Sequence, residues 1–156
     1  MIRVMFVCLG NICRSPMAEA VMRQLVKQAG LEQQIAVEST GTGNWHIGKP
    51  AHRGTLEILR RHNIPHDGRA QQITHDHLRA ADYVVAMDSE NVATIRELDS
   101  SPETAAKLVQ LLDFAPSGYP RDVPDPYYTG HFDEVYDLVT TGCEGLLRHI
   151  RAEHHV

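Results

Sequence analysis

Cys8-Leu9-Gly10-Asn11-Ile12-Cys13-Arg14-Ser15 is the stretch of sequence that decides the fold of this chain. An apolar run at residues 2–7 precedes it and predicts a buried strand. Ser15-Pro16 at its end predicts a helix start, with Ser15 as the N-cap and proline at the first helical position. The stretch is therefore predicted to be the turn from a strand into a helix.

A turn of this kind suits an anion. The first backbone N–H groups of a helix have no partner within the helix, and the helix dipole places partial positive charge there. Gly10 and Asn11 both tolerate positive φ, which lets successive N–H groups turn inward around three phosphate oxygens. Arg14 adds a planar fork of donors. We predict a phosphate-binding loop whose binding and ordering residues are Leu9, Gly10, Asn11, Ile12, Cys13 and Ser15.

Cys8 lies at the start of this loop, where the same donors favour a thiolate over a thiol. Ser15 can donate a further hydrogen bond to the sulfur. A packing role for Cys8 would not explain why Gly-Asn, Arg and Ser-Pro follow it. The sequence therefore predicts a nucleophilic cysteine.

Four segments of the chain resemble the low-molecular-weight protein tyrosine phosphatases, and the resemblance runs nearly end to end. They are residues 7–16, residues 39–42 with Trp45 soon after, residues 81–91, and Asp125-Pro126-Tyr127-Tyr128. The resemblance implies hydrolysis of phosphotyrosine on proteins through a phosphocysteine. It assigns Cys8 as the nucleophile, Arg14 to phosphate and the transition state, Asn11 and Ser15 to ordering the loop, and Asp125 to general acid catalysis.

The surroundings of Asp125 agree with that role, because a departing phenoxide leaves far better when it is protonated. Pro124 and Pro126 stiffen the loop, and the two tyrosines can shield the carboxyl group from water. Asp88 is the next candidate for the acid. Leu9, Ile12, Trp45, Tyr127 and Tyr128 are predicted to line a slot that a long, flat aryl phosphate can enter.

The chain differs from many family members in two places. Residues 48–55 read Gly-Lys-Pro-Ala-His-Arg-Gly-Thr where many members carry Asp and Arg. Gly68 stands where some carry a histidine that supports the catalytic loop. The sequence therefore does not predict which residues around His52 and Gly68 contact the loop from behind.

Length and composition predict a single domain over residues 1–156, with 42% hydrophobic residues and no repeat or low-complexity tract. A net charge of −5 argues against a nucleic-acid partner. With no recognisable signal peptide or membrane span, we expect a cytoplasmic monomer whose three cysteines form no disulfide framework. His75-Asp76-His77 and His154-His155 have no convergent partners, so we predict neither a metal site nor a cofactor.

Strand and helix signals alternate along the chain, which predicts an α/β fold: a parallel sheet with helices on both faces. Strands are predicted at 2–7, 35–39, 83–87 and 107–112, and helices at 16–29, 53–62, 75–81, 90–98 and 131–152. The strand order 2-1-3-4 comes from the resemblance. In that order the chain reverses direction beside Cys8, at the sheet edge where ligands bind.

Three other functions compete with this interpretation. A thiol-linked arsenate reductase needs further reactive cysteines, and Cys143 lies among residues with core spacing on the last helix. A protein arginine phosphatase is expected to carry Thr where this chain has Ile12. An inactive phosphotyrosine-binding module would lack Cys8 or Asp125.

Cys13 shares the loop with Cys8, so a reversible disulfide between the two is a further prediction, although their spacing does not guarantee bonding distance.

Overall fold

A four-stranded parallel sheet forms the centre of the protein, and the computed structural model describes residues 1–156. The strands are β1 (Ile2–Cys8), β2 (Ile35–Gly41), β3 (Tyr83–Ala86) and β4 (Leu108–Gln110). The helices are α1 (Arg14–Gln28), α2 (Arg53–Arg61), α3 (His75–Ala80), α4 (Ser89–Leu98), α5 (Pro102–Lys107), α6 (Pro126–Thr129) and α7 (Phe132–His154). The strand order β2-β1-β3-β4 confirms the predicted order 2-1-3-4.

The central strand β1 is buried on both sides, because alternate residues of a strand point to opposite faces. Val4 and Phe6 belong to a core cluster of 27 buried residues shared with α1, α2 and α7. Met5 and Val7 belong to a second cluster of 8 buried residues shared with α3 and α4. Helices therefore cover both faces of the sheet, as predicted, and the larger core lies on the side of α1 and α7.

The largest error in the predicted elements falls at residues 107–112, where the strand is only Leu108–Gln110. Helix α5 occupies the residues before it, because the Ser101 hydroxyl accepts a hydrogen bond from Thr104 N and Pro102 favours the first turn. A short 3₁₀ helix, Leu111–Phe114, follows the strand. Neither α5 nor the short helix α6 was predicted.

A reversal in the order of the strands places the carboxyl end of β1 at a topological switch point. From β1 the chain passes to β2 on one side and later to β3 on the other, so Cys8 lies between two strand ends. Ligands of open α/β sheets bind in the crevice at such a point. No helix combines the length and the apolar character needed to cross a bilayer.

Candidate active site

The loop between β1 and α1 differs in one respect from its prediction: α1 begins at Arg14, and its N-cap is Cys13 instead of Ser15. No side chain caps this helix end. The Ser15 hydroxyl does not cap the helix and lies 3.0 Å from Cys8 Sγ. The first N–H groups of α1 therefore have no side-chain partner and remain available to an anion bound in the loop.

Only one of the two predicted left-handed residues adopts that conformation: Asn11 has a φ of 56°, whereas Gly10 is not among the residues with positive φ. Gly10 is needed for a different reason, since a Cβ there would lie 3.0 Å from Cδ2 of His46. Gly41 at the end of β2 also lies very close to the loop. A Cβ at that position would lie 2.9 Å from Asn11 N and from Leu9 O, so the loop passes directly over this strand end.

The buried side chain of Asn11 organises a chain of hydrogen bonds that ends at the cysteine. Its amide nitrogen donates to Ser15 Oγ at 2.8 Å and to Ser39 Oγ at 3.0 Å. Its amide oxygen accepts from the backbone of Gln71 at 2.9 Å. Because Ser15 Oγ already accepts from Asn11, its single proton has two acceptors within reach, the Cys8 sulfur at 3.0 Å and the carbonyl oxygen of Thr40 at 3.3 Å, and the sulfur is the nearer. Donation to the sulfur favours the thiolate.

The far end of this chain is a buried carboxylate that the sequence analysis did not identify. Ser39 donates to Glu19 Oε1, and Glu19 Oε2 pairs with Arg23 at 2.8 Å. Gly68 has no side chain, which leaves space beside the Glu19 carboxylate. The imidazole of His66 occupies this space: a Cβ on residue 68 would lie 3.2 Å from the ring. Burial lowers the pKa of His66, against the opposing effect of Glu19. His66, two positions before Gly68, therefore lies in the region behind the loop where some family members carry a histidine at the position of Gly68.

Arg14 is buried at the base of the loop and is held from two sides. Its Nη1 donates to Asp88 Oδ2 at 2.6 Å and to the carbonyl oxygen of Val123 at 2.9 Å, and its Nη2 lies 3.4 Å from Asp125 Oδ2. Burial by itself lowers the pKa of Arg14, but the nearby Cys8 sulfur and the two carboxylates raise it above its ordinary value. Its Nε is buried without a hydrogen-bond partner in the protein. A buried, charged N–H group without a partner is suited to donating a hydrogen bond to an anionic oxygen of a ligand.

Asp88 and Asp125 differ in how their oxygens are used. Asp88 caps α4 by accepting from Asn91 N at 2.8 Å and binds Arg14 with its other oxygen, so both oxygens are engaged. Asp125 caps α6 by accepting from Tyr127 N at 3.1 Å, and its other oxygen makes only the long contact to Arg14. Asp125 lines the cavity described below and Asp88 does not. Asp88 therefore positions the guanidinium, and Asp125 is the carboxyl group available to a ligand.

A cavity of about 380 Å³ opens above the loop. It is lined by Cys8, Leu9, Gly10, Ile12, Cys13, Arg14, Trp45, His46, Asp125, Tyr127 and Tyr128. Every residue predicted for the slot is among them, whereas Asn11 and Ser15 lie behind the loop. Trp45, Tyr127 and Tyr128 remain largely exposed and form the mouth.

His46 is the lining residue that sequence reasoning missed. Its position directly after Trp45 was the only available signal. Its ring centre lies 6.1 Å from that of Tyr127, and on its other side the ring meets Gly10. Only the folding of the loop after β2 onto the phosphate-binding loop reveals this contact.

The remaining two cysteines are both buried and free. Burial, together with the charge of Cys8, raises the pKa of Cys13 to about 12, so its thiol is protonated at neutral pH. Cys143 is fully buried in the larger core and lies 3.7 Å from the carbonyl oxygen of Ala18. It is a core residue, as its helical spacing predicted.

We expect Asn11→Ala to lower the free energy of unfolding by about 2–4 kcal/mol, because it removes three hydrogen bonds worth about 1 kcal/mol each and puts alanine in a left-handed conformation. Asn63→Ala is the matched control, since Asn63 also has a positive φ of 57° but is exposed. Urea denaturation of both variants measures the difference. An equal loss in the two would show that the Asn11 hydrogen bonds contribute little.

Comparison with known proteins is consistent with this geometry. Residues 3–156 match the family described as low molecular weight phosphotyrosine protein phosphatase. The low molecular weight protein-tyrosine-phosphatase YfkJ of Bacillus subtilis is 51% identical over 154 residues, covering 98% of both chains. PtpA of Staphylococcus aureus, which carries the same description, is 48% identical over 153 residues, covering 96% of this chain and 94% of PtpA.

The solved structures agree with the sequences. The crystal structure of YfkJ superposes with a TM-score of 0.95 and covers 98% of this chain and 96% of YfkJ. A Drosophila arginine phosphatase, DARP, has a TM-score of 0.88 at only 28% identity, covering 95% of this chain and 97% of its own. The match over nearly the whole length, at about half identity to named phosphatases, assigns this chain to the low molecular weight phosphotyrosine protein phosphatase family.

Proposed function

We propose that this protein hydrolyses phosphotyrosine on protein substrates through a phosphocysteine intermediate. The observation that carries the proposal is the convergence of three residues on one cavity: Cys8 with its sulfur, Arg14 with its guanidinium and Asp125 with its carboxyl group. Each supplies a different requirement of phosphoryl transfer, namely a nucleophile, charge stabilisation and a proton donor.

In the first step the phosphate group binds against the N–H groups of the loop and the guanidinium of Arg14. The Cys8 thiolate attacks phosphorus, and the bond from phosphorus to the tyrosine oxygen breaks. Asp125 gives its proton to the departing phenoxide. The products are a protein with an unphosphorylated tyrosine side chain and a phosphocysteine, with Asp125 left as a carboxylate.

In the second step Asp125 acts as the base. It removes a proton from a water molecule, whose oxygen attacks phosphorus and expels the Cys8 thiolate. Ser15 supports the thiolate whenever it is present, because its hydroxyl lies 3.0 Å from the sulfur. Inorganic phosphate leaves, and Asp125 is again protonated.

The depth of the cavity supports selectivity for phosphotyrosine. Ile12 is buried near its base, while Tyr127 and Tyr128 stand at its mouth with their ring centres 5.3 Å apart. A phosphoserine is too short to place its phosphate on Cys8 while its backbone stays outside such a rim. Arsenate reduction is disfavoured, because Cys143 lies in the core, where it cannot relay a disulfide to solvent.

We further propose that a single chain in the cytoplasm carries out the reaction. Every residue of the site comes from one chain, and a free catalytic thiolate is preserved best in a reducing compartment. All three cysteines are unpaired.

The proposed function is tested with peptides that differ only in carrying phosphotyrosine, phosphoserine or phosphoarginine. We expect phosphotyrosine to be preferred and Cys8→Ser to lower turnover by a factor on the order of 10⁵ or more. Cys143→Ala, which changes a cysteine outside the site, is the control and should remain active. Preference for phosphoarginine would instead assign arginine phosphatase activity, and full activity of Cys8→Ser would exclude the phosphocysteine.

Asp125→Asn is expected to slow hydrolysis in proportion to how strongly the leaving group needs a proton. The loss should be about 10²–10⁴-fold for phosphotyrosine and much smaller for nitrophenyl phosphate. Asn preserves the acceptor that caps α6, so the loop should keep its conformation. Asp88→Asn provides the contrast: it loosens Arg14 and should slow all leaving groups by a similar factor. An Asp125→Asn loss that is independent of the leaving group would place the acid elsewhere.

Peroxide inactivation is expected to be reversible through Cys13. Peroxide converts the Cys8 thiolate to a sulfenic acid; the Cys13 sulfur then attacks it, forming a disulfide and releasing water. Because the pKa of Cys13 is raised to about 12, this capture should accelerate as the pH rises. After peroxide and then dithiothreitol, wild type should recover more activity than Cys13→Ser, with Cys143→Ala behaving as wild type. Equal recovery would leave Cys13 without a redox role.

A further inference from the structure

One wall of the active-site mouth carries only positive charge among its ionisable groups. Residues 41–56, which run from the end of β2 into α2, contain no Asp or Glu but include Lys49 and Arg53. Residues 68–75 also contain no acidic residue and include Arg69. The chain as a whole has a net charge of −5, so the positive charge of these two segments is opposite in sign to that of the whole protein.

Hydrogen bonds join these two segments into one surface. Gly48 N donates to Ala70 O at 2.8 Å, and Ala70 N donates to Lys49 O at 2.8 Å. Arg69 adds a hydrogen bond from Nη1 to Gly48 O at 3.3 Å. The cations are therefore brought together by tertiary contacts as well as by sequence.

The same surface is continuous with the cavity. Lys49 N donates to His46 O at 2.9 Å, and the His46 side chain lines the cavity. His52, next to Arg53, donates its N–H to Ile12 O at 2.7 Å, and its ring centre lies 6.0 Å from that of Tyr127. A peptide chain that leaves the cavity on this side runs directly over these residues.

The three permanent cations are not neutralised within the protein. Lys49, Arg53 and Arg69 are exposed, and none is in an ion pair with a carboxylate. By contrast, Arg61, Arg79 and Arg121 on the rest of the surface are paired with acidic residues. The cations are therefore available to an external anion.

We propose that this surface, the basic rim formed by His46, Lys49, His52, Arg53 and Arg69, binds Asp and Glu side chains that flank phosphotyrosine in the substrate. The proposal rests on the proposed function and specifies its substrate class. Negative charge close to phosphotyrosine meets three free cations on this side of the mouth. The other side carries the carboxyl group of Asp125, so an acidic peptide is drawn to one wall only.

The experiment compares kcat/KM for two phosphotyrosine peptides, one with Glu and one with Gln at the two positions on each side of the phosphotyrosine. An exposed ion pair contributes about 0.2–1 kcal/mol, so three of them predict a preference for the Glu peptide on the order of tenfold. The triple variant Lys49→Gln, Arg53→Gln and Arg69→Gln should bring that ratio close to one. Raising the ionic strength from about 0.01 M to about 1 M should reduce the wild-type ratio in the same direction.

A second triple variant, Lys27→Gln, Arg96→Gln and Arg148→Gln, is the matched control. These residues are also exposed and unpaired, lie on α1, α4 and α7 outside the rim, and change the net charge by the same amount. The control should keep the wild-type ratio. An equal loss in both triple variants would assign the preference to net charge and overturn the proposal.

The remaining outcomes separate this inference from the proposed function. If wild type hydrolyses both peptides equally well, the basic rim does not select acidic substrates, but phosphotyrosine hydrolysis stands. If wild type hydrolyses neither peptide, the proposed function fails and the rim proposal fails with it. If wild type shows a peptide ratio of one but binds vesicles of anionic lipid, and the rim variant loses that binding, the surface faces a membrane and the proposal is wrong.

Discussion

The buried guanidinium of Arg14 is the charge on which the rest of the site depends. It begins α1, yet its side chain binds Asp88 after β3 and the backbone of Val123 in the loop that carries the acid. Three segments far apart in sequence are thus joined at one point. Removing this cation would leave two half-buried carboxylates without a partner, which is costly in a region of low dielectric constant.

The geometry around Cys8 separates two cysteines that lie five positions apart in one loop. The Cys8 sulfur lies 3.0 Å from the Ser15 hydroxyl, whose orientation is set by Asn11 and, behind it, by Ser39 and Glu19. The sulfur of Cys13 has no such donor, and burial raises its pKa to about 12. Two chemically identical side chains are therefore placed in different surroundings, one beside a hydroxyl group and the other buried without a donor.

The mouth of the cavity is electrostatically asymmetric, and this asymmetry has a structural origin. The loop after β2 carries cations without carboxylate partners, whereas the loops after β3 and β4 carry Asp88 and Asp125, the carboxylates that contact Arg14. Because the strands are parallel, all of these loops meet at the same edge of the sheet. The cations and the carboxylates can then vary separately in sequence, since they lie on different loops.

The sequence alone determined what is local. The spacing from Cys8 to Ser15 predicted the nucleophile, the phosphate loop and the arginine, and the apolar run at residues 2–7 predicted a buried strand, which is β1. Tertiary structure decided the rest: Glu19 and Ser39 behind the loop, the role of Asp88, His46 in the cavity wall and the meeting of Arg69 with residues 48–50. Periodicity and capping act over a few residues, whereas these contacts join side chains 20 to 74 positions apart. Their partners are chosen by which loops the parallel sheet brings to a common edge, and no local pattern in the chain encodes that choice.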